Sequence, residues 1–246
     1  PNLKTLAGLT NYVEEHGCDI GIATDGDADR LGVIDDKAEF LHPNKILVLL
    51  YYYLMRYRGW RGAAVRNLAT THLLDRIAED FGETCYEVPV GFKYVSAKMV
   101  ETGAIIGGES SGGLTVRGHI QGKDGIYAAA LLVEAIAKTG RRLSALWDEI
   151  TQKYGAAEMA EHDFHFSSAE RTRIFKLLME DKQLPEFPCE IAKVSYMDGC
   201  KVYLKNGGWV SARFSGTEPL LRIFCEMQTE HEAVLLCELF ETFLGL

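Results

Sequence analysis

Three things are scarce in this chain, and each scarcity removes a class of function. Basic residues are outnumbered, with 26 Lys and Arg against 35 Asp and Glu, a net charge of −9. Neither nucleic acid nor an anionic membrane is expected as a main partner of so acidic a surface. A phosphorylated metabolite can still be held through a few local arginines. Cysteine is sparse and scattered: Cys18, Cys85, Cys189, Cys200, Cys225 and Cys237 form no close pair in sequence. That argues against a disulfide framework or a zinc site and for free thiols in a reducing compartment. No apolar run reaches membrane-spanning length, and the N-terminus has no signal-peptide pattern, so a cytoplasmic protein is expected. Internal repeats and low-complexity tracts are lacking as well.

What is present suits a globular protein, with 47% hydrophobic and 25% charged residues over 246 positions, enough for one large core or two smaller ones. Leu3, Leu6, Leu9, Tyr12 and Val13 recur at helical spacing, which predicts a helix over 4–16 ending near Gly17. Strands are expected at 18–23 and 31–34, with Phe40-Leu41 closing the segment. One helix and two strands cannot bury a core unaided, so this stretch reads as the end of a domain whose beginning lies elsewhere. Pro1 is not an initiator methionine, and the chain is expected to be processed or a piece of something longer.

From Asn44 the pattern becomes α/β. A helix over 44–58 precedes strand 63–67, helix 71–81, strand 85–88, helix 92–101 and strand 104–107, with helices near 124–138 and 143–154. Such alternation predicts a largely parallel sheet, whose ligands gather at the carboxyl ends of the strands. Beyond a linker near 155–161 the pattern shifts to α+β. A short strand at 162–166, a helix from Ala169 to Asp181, strands near 191–197, 200–204, 209–214 and 220–227, and a helix from Glu230 are expected.

Three stretches could carry chemistry. Asp25-Gly26-Asp27-Ala28-Asp29-Arg30 sets carboxylates at every second position between two strands, where period-two alternation can aim them at one point. Hard divalent cations take such oxygen clusters. An EF-hand loop needs glycine where Arg30 stands, and helices rather than strands on its flanks; a solvated acidic turn is the plainer alternative. Gly107-Gly108-Glu109-Ser110-Ser111-Gly112-Gly113 surrounds one carboxylate and two hydroxyls with glycines, a combination suited to sugar hydroxyls or to nothing more than a polar loop. Arg213-Phe214-Ser215-Gly216-Thr217-Glu218-Pro219, with Arg222 beyond, offers arginines, hydroxyls and a glycine backbone to a phosphate, or builds an ordinary hairpin turn. Lys93 opens a predicted helix, where the dipole disfavours a cation; it is a functional candidate or a snorkelling surface lysine. His72, His119, His162 and His165 show no metal-ligand spacing and read as structural.

Taken in order, these motifs resemble the α-D-phosphohexomutase family of phosphoglucomutases and phosphomannomutases. Asp25 to Arg30 matches the family's metal loop, Gly91-Phe92-Lys93 a short motif of its third domain, Gly108 to Gly112 its sugar-recognition loop, and Arg213 to Pro219 its phosphate-binding loop. The resemblance implies an α/β fold in three parts: a domain-two remnant over 1–41 with the metal loop, an α/β/α domain over 42–158, and an α+β domain over 159–246. It implies phosphoryl transfer between hexose 1-phosphate and hexose 6-phosphate through a hexose 1,6-bisphosphate. Magnesium would sit on Asp25, Asp27 and Asp29. Arg30 and Lys93 would serve catalysis. Glu109 and Ser111 would bind the sugar, and Arg213, Ser215, Gly216, Thr217 and Arg222 the non-reacting phosphate. Ser110 stands where relatives often have a second acid. The family's phosphoserine lies in an N-terminal domain, and no serine here is followed by histidine. The expected partners are therefore a hexose phosphate and the N-terminal domains of the same protein. The other reading is a truncated sugar-phosphate-binding module without turnover.

Overall fold

The computed structural model describes residues 1–216 and 219–246 and is a mixed α/β structure. The chain divides into two compact units, 1–155 and 156–246.

The first unit begins with α1 (Ala7–His16). The helix starts later than its apolar spacing suggests, because Asn2 and Thr5 exchange backbone-to-side-chain hydrogen bonds at 3.0 and 2.9 Å and hold a turn there. Gly17, left-handed at φ 60°, ends it. The chain then needs Cys18 to Ile20 to reverse direction, so β1 covers only Gly21–Thr24. β1 pairs antiparallel with β2 (Leu31–Ile34), which pairs with β3 (Phe40–Leu41). The acidic loop is thus the tip of a hairpin. Leu6, the N-cap of α1, and Val13 within it pack on Ile34 of β2.

α2 (Pro43–Arg56) has proline in its first turn and is capped by His42, whose ring Nδ1 accepts the Asn44 N–H at 3.2 Å. Ile46, Leu47, Leu50 and Leu54 form the buried face that helical spacing predicts, yet Val48, Leu49, Tyr51, Tyr52 and Tyr53 are buried too. Packing on every side explains it, since α2 touches β2, β3, β6, α3, α5 and α6. Each of the three tyrosine hydroxyls finds an acceptor: the Gly62 carbonyl at 3.2 Å, and Glu149 and Glu134 at 2.6 Å. Buried polar tips need such partners.

The four-stranded sheet has the order β5-β4-β6-β7. β4 (Ala64–Asn67), β5 (Cys85–Val88) and β6 (Ile106–Gly108) run parallel, connected through α3 (Leu73–Asp80) and α4 (Phe92–Thr102). β7 (Leu114–Val116), which no sequence signal announces, returns antiparallel along β6. α5 (Gly125–Thr139) and α6 (Leu143–Tyr154) complete the unit. Arg66 on β4 is buried to 2% exposure; its guanidinium takes Asp75 at 2.6 and 2.9 Å and Glu87 at 2.6 Å. Those two acids hold it firmly charged against the desolvation of burial.

The second unit is a five-stranded antiparallel sheet of order β8-β12-β11-β10-β9. β8 (Glu158–His165) is longer than the expected short strand because it pairs with β12 (Leu220–Met227) along its whole length. β9 (Ile191–Ser195), β10 (Cys200–Leu204) and β11 (Trp209–Phe214) follow. α7 (Ser168–Phe175) opens on a capping box of Ser167 and Glu170, and Lys176–Glu180 widens into a π-helical turn. α8 (Glu230–Leu244) lays Ala233, Leu236, Cys237, Phe240 and Leu244 into the core. Among the described residues no helix is long and apolar enough to cross a membrane.

Candidate functional site

The hairpin tip between β1 and β2 brings Asp25, Asp27 and Asp29 together: one carboxylate oxygen of each lies within 4.8 Å of the others. A hydrogen bond from Ala28 N–H to the Asp25 carbonyl at 3.1 Å tightens the turn, and Ala28 takes a left-handed φ of 58°. Such a backbone costs a non-glycine residue roughly 1–2 kcal/mol. Arg30 braces the loop from its far end. Its backbone N–H and its Nε reach the two oxygens of Asp25 at 3.1 and 2.7 Å. Partial burial alone would raise the Asp25 carboxyl; these hydrogen bonds from Arg30 outweigh it and hold the group below its usual value.

Asp29 is arranged differently. Its Oδ2 pairs with the ammonium of Lys123, while its Oδ1 is buried without a hydrogen bond, 3.5 Å from Arg30 Nε. A buried carboxylate oxygen lacking a donor, beside two more carboxylates, fits a hard cation, which supplies what a hydrogen-bond donor does not. Lys123 escaped the sequence reading. The signal that marks Lys93 applies to it as well, for it directly precedes Asp124, the N-cap of α5.

The glycine-rich stretch is the tip of the β6–β7 hairpin. The Glu109 N–H bonds the Gly113 carbonyl at 2.9 Å, and the Gly112 N–H bonds the Glu109 carbonyl at 3.0 Å. Gly107 and Gly108 serve packing: a Cβ on Gly107 would lie 2.5 Å from Met99 Sδ, and one on Gly108 would lie 2.8 Å from Leu47 Cδ1. Glu109 is 8% exposed, and its Oε1 accepts Asn67 Nδ2 at 3.1 Å and the Gly91 N–H at 2.9 Å. Ser111 is exposed. The acidic loop and this loop meet directly, through an antiparallel bridge between Arg30 and Gly113.

Gly91 links the short Gly91-Phe92-Lys93 motif to the glycine-rich loop through Glu109, but Lys93 does not share in that. It is exposed, with Nζ 4.8 Å above the Tyr94 ring, and makes no ion pair among the described residues. Three of the four histidines singled out in the sequence have protein partners: His72 faces Glu87 at 3.7 Å, His119 pairs with Asp124 at 2.7 Å, and His162 meets Glu241.

In the second unit, Arg213 and Arg222 are register partners on β11 and β12. Like charges directly opposite each other destabilise a sheet unless something offsets them. Acids do so here: Arg213 Nε bonds Asp198 at 2.8 Å, and Arg222 Nε lies 3.4 Å from Asp163. Ser215 N–H bonds the Leu220 carbonyl at 2.7 Å, and Gly216 is exposed with open space around its Cα. Thr217 lies outside the described residues. Two guanidiniums on one sheet face beside a glycine turn can take a phosphate.

Known proteins are similar to this chain over most of its length. Residues 1–38 match the description Phosphoglucomutase/phosphomannomutase, alpha/beta/alpha domain II; residues 42–154 match domain III, and 175–241 the C-terminal domain. A phosphoglucomutase/phosphomannomutase of Thermococcus kodakarensis is 34% identical over 95% of this chain and 48% of its own length. A candidate phosphoglucosamine mutase of Methanosarcina barkeri is 34% identical over 92% of the chain and 48% of its own. A solved structure from Thermus thermophilus, assigned as a candidate phosphomannomutase, superposes with TM-score 0.80 at 30% identity, over 100% of this chain and 50% of that one. The chain thus spans about half the length of the relatives it matches.

Proposed function

The chain belongs to the phosphoglucomutase/phosphomannomutase family, and from that membership we propose that it takes part in moving a phosphoryl group between O1 and O6 of a hexose phosphate. The reaction passes through a hexose 1,6-bisphosphate, with a phosphoserine that these 246 residues do not carry, since no serine among them is followed by histidine. One observation carries the reading: three aspartates converge within 4.8 Å on a hairpin tip that is bridged, through Arg30 and Gly113, to a loop bearing a nearly buried glutamate.

Asp25, Asp27 and Asp29 would hold magnesium, which supplies charge neutralisation to a transferring phosphoryl group. Arg30, fixed by Asp25, keeps a guanidinium beside that group. Lys123, paired with Asp29, adds a second cation to the same place. Glu109 and Ser111 accept and donate hydrogen bonds to sugar hydroxyls. Arg213, Ser215, Gly216, Thr217 and Arg222 hold the non-reacting phosphate. Because the bisphosphate must turn over, that phosphate set accepts either end of the sugar. Lys93, exposed beside the Tyr94 ring, would act in proton transfer or phosphate contact.

The second reading is a sugar-phosphate-binding module without turnover. Mutase assays of the full-length protein on glucose, mannose and glucosamine 1-phosphates, beside the same assays of residues 1–246 alone, separate the two. Turnover by the full-length protein and none by the fragment is the expected result. No turnover of any hexose phosphate by the full-length protein would leave the binding module standing.

A further inference from the structure

Glu109 is the only acid in its loop, and the loop does not orient it. The contacts within the loop are backbone to backbone and leave the carboxylate free to turn. Its orientation comes from two neighbouring strands instead. Asn67, the last residue of β4 and 2% exposed, gives Nδ2 to Glu109 Oε1, and Gly91, beyond β5, gives the same oxygen its backbone N–H.

The Asn67 amide is itself locked. Its Oδ1 accepts the Ala69 N–H at 3.0 Å and the Thr70 hydroxyl at 2.8 Å. With two donors on Oδ1, the opposite end must be the NH2 group, so the amide presents a donor to the carboxylate. A flipped amide would set its carbonyl against Glu109 and leave two donors facing NH2. Thr70 closes the bracket, since its Oγ1 also accepts the Ser110 N–H at 3.0 Å. Two donors occupy Oε1, whereas Oε2 accepts no hydrogen bond among the described residues.

We infer that Asn67, braced by Thr70, is a positioning residue that turns Glu109 so that Oε2 alone is offered to a hexose hydroxyl. This rests on the sugar-binding reading of Glu109. Asn67 acts through Glu109 and touches no substrate. The contact to the sugar is monodentate, and its direction is set from a strand 42 residues away in sequence.

The test is a double-mutant cycle read by calorimetric titration of glucose 1-phosphate into the full-length protein with magnesium present. Glu109→Gln is expected to weaken binding by about tenfold or more, as loss of a charged acceptor does. Asn67→Ala is expected to weaken it by about five- to twentyfold. In the Glu109→Gln background, Asn67→Ala should add less than about twofold, because residues that act through one another do not multiply. Thr70→Val should follow Asn67→Ala at smaller size while Thr70→Ser retains binding; this pair decides the matter if Asn67→Ala does not fold. If Glu109→Gln itself leaves binding unchanged, the sugar reading of Glu109 fails and takes the inference with it. If Glu109→Gln weakens binding while Asn67→Ala does nothing, or if their effects multiply, Asn67 is not a positioning residue and the sugar reading survives.

Discussion

The Gly125 N–H donates to the Ala28 carbonyl at 2.9 Å, which docks the first turn of α5 on the backbone of the acidic loop. A Cβ on Gly125 would stand 2.8 Å from the Arg30 carbonyl oxygen and 3.1 Å from that of Ala28. Gly125→Ala should therefore push the loop outward and cost about 1–3 kcal/mol of stability, the usual range for overpacking. Binding of manganese as a spectroscopic substitute should weaken with it. Electron paramagnetic resonance titration reads the second effect, and wild-type affinity in the variant would separate α5 from the loop.

Arg213 anchors the proposed phosphate site through its Nε bond to Asp198 at 2.8 Å. Among the described residues its remaining guanidinium nitrogens make no hydrogen bond, which leaves them to an anion. Arg213→Ala should weaken hexose-phosphate binding by about 1.5–3 kcal/mol, the span of charge-assisted hydrogen bonds. Unchanged affinity by calorimetry would remove Arg213 from the site.

His42 makes the first unit sensitive to acid. Burial, with a smaller contribution from the Lys45 charge, lowers its pKa from 6.5 to about 4. Its ring Nδ1 must stay unprotonated to accept the Asn44 N–H. The unfolded chain takes up the proton first, so this contribution is complete above pH 6.5 and drains away as pH falls toward about 4. The loss should amount to about 2 kcal/mol, discounted for partial solvent access. Urea unfolding between pH 7 and pH 4 should show this slope, and His42→Asn, a non-titrating cap, should flatten it. An equal slope in both proteins would assign the effect elsewhere.

Arg66 holds Asp75 and Glu87 together, at 2.6 Å from each. Arg66→Ala would strand both acids near the carboxyl end of β4 and should cost about 3–5 kcal/mol, as breaking a buried pair does. Chemical denaturation measures it. A loss below about 1 kcal/mol would mean that the acids find other partners.

Much of the fold could be read because its periodicities are local. The alternation of short apolar strands with helices from 63 to 107 needs only neighbouring residues to declare itself. The aspartates at 25, 27 and 29 are likewise near neighbours in sequence, although the tight turn closed from Ala28 N–H to the Asp25 carbonyl, rather than strand alternation, gathers them. What escaped was non-local or too brief. β7 has three residues behind two glycines, too few for alternation to be seen. Asn67 meets Glu109 only because β4 and β6 lie side by side in a parallel sheet, a relationship that no spacing along the chain encodes. Lys123 belongs to the same class, brought to Asp29 by the docking of α5. The burial of α2 on all sides exceeded its sequence pattern, because layers on both sides claim its faces.

The β6–β7 hairpin has a consequence for how such a loop can diversify. Its stem is clamped by the pairs Ile106 with Val116, Gly107 with Thr115 and Gly108 with Leu114, which leaves 109–113 as a short cassette between matched ends. Ser110 and Ser111 can be exchanged without disturbing the sheet, whereas Gly112, at φ 100°, and Gly113, packed against Lys123, are fixed by their backbone. An insertion that slipped the register by one would make Leu114 and Thr115, both buried, trade faces and force both sides of the strand to repack. Changes of sugar preference in a loop of this construction should therefore proceed by swapping side chains at constant length.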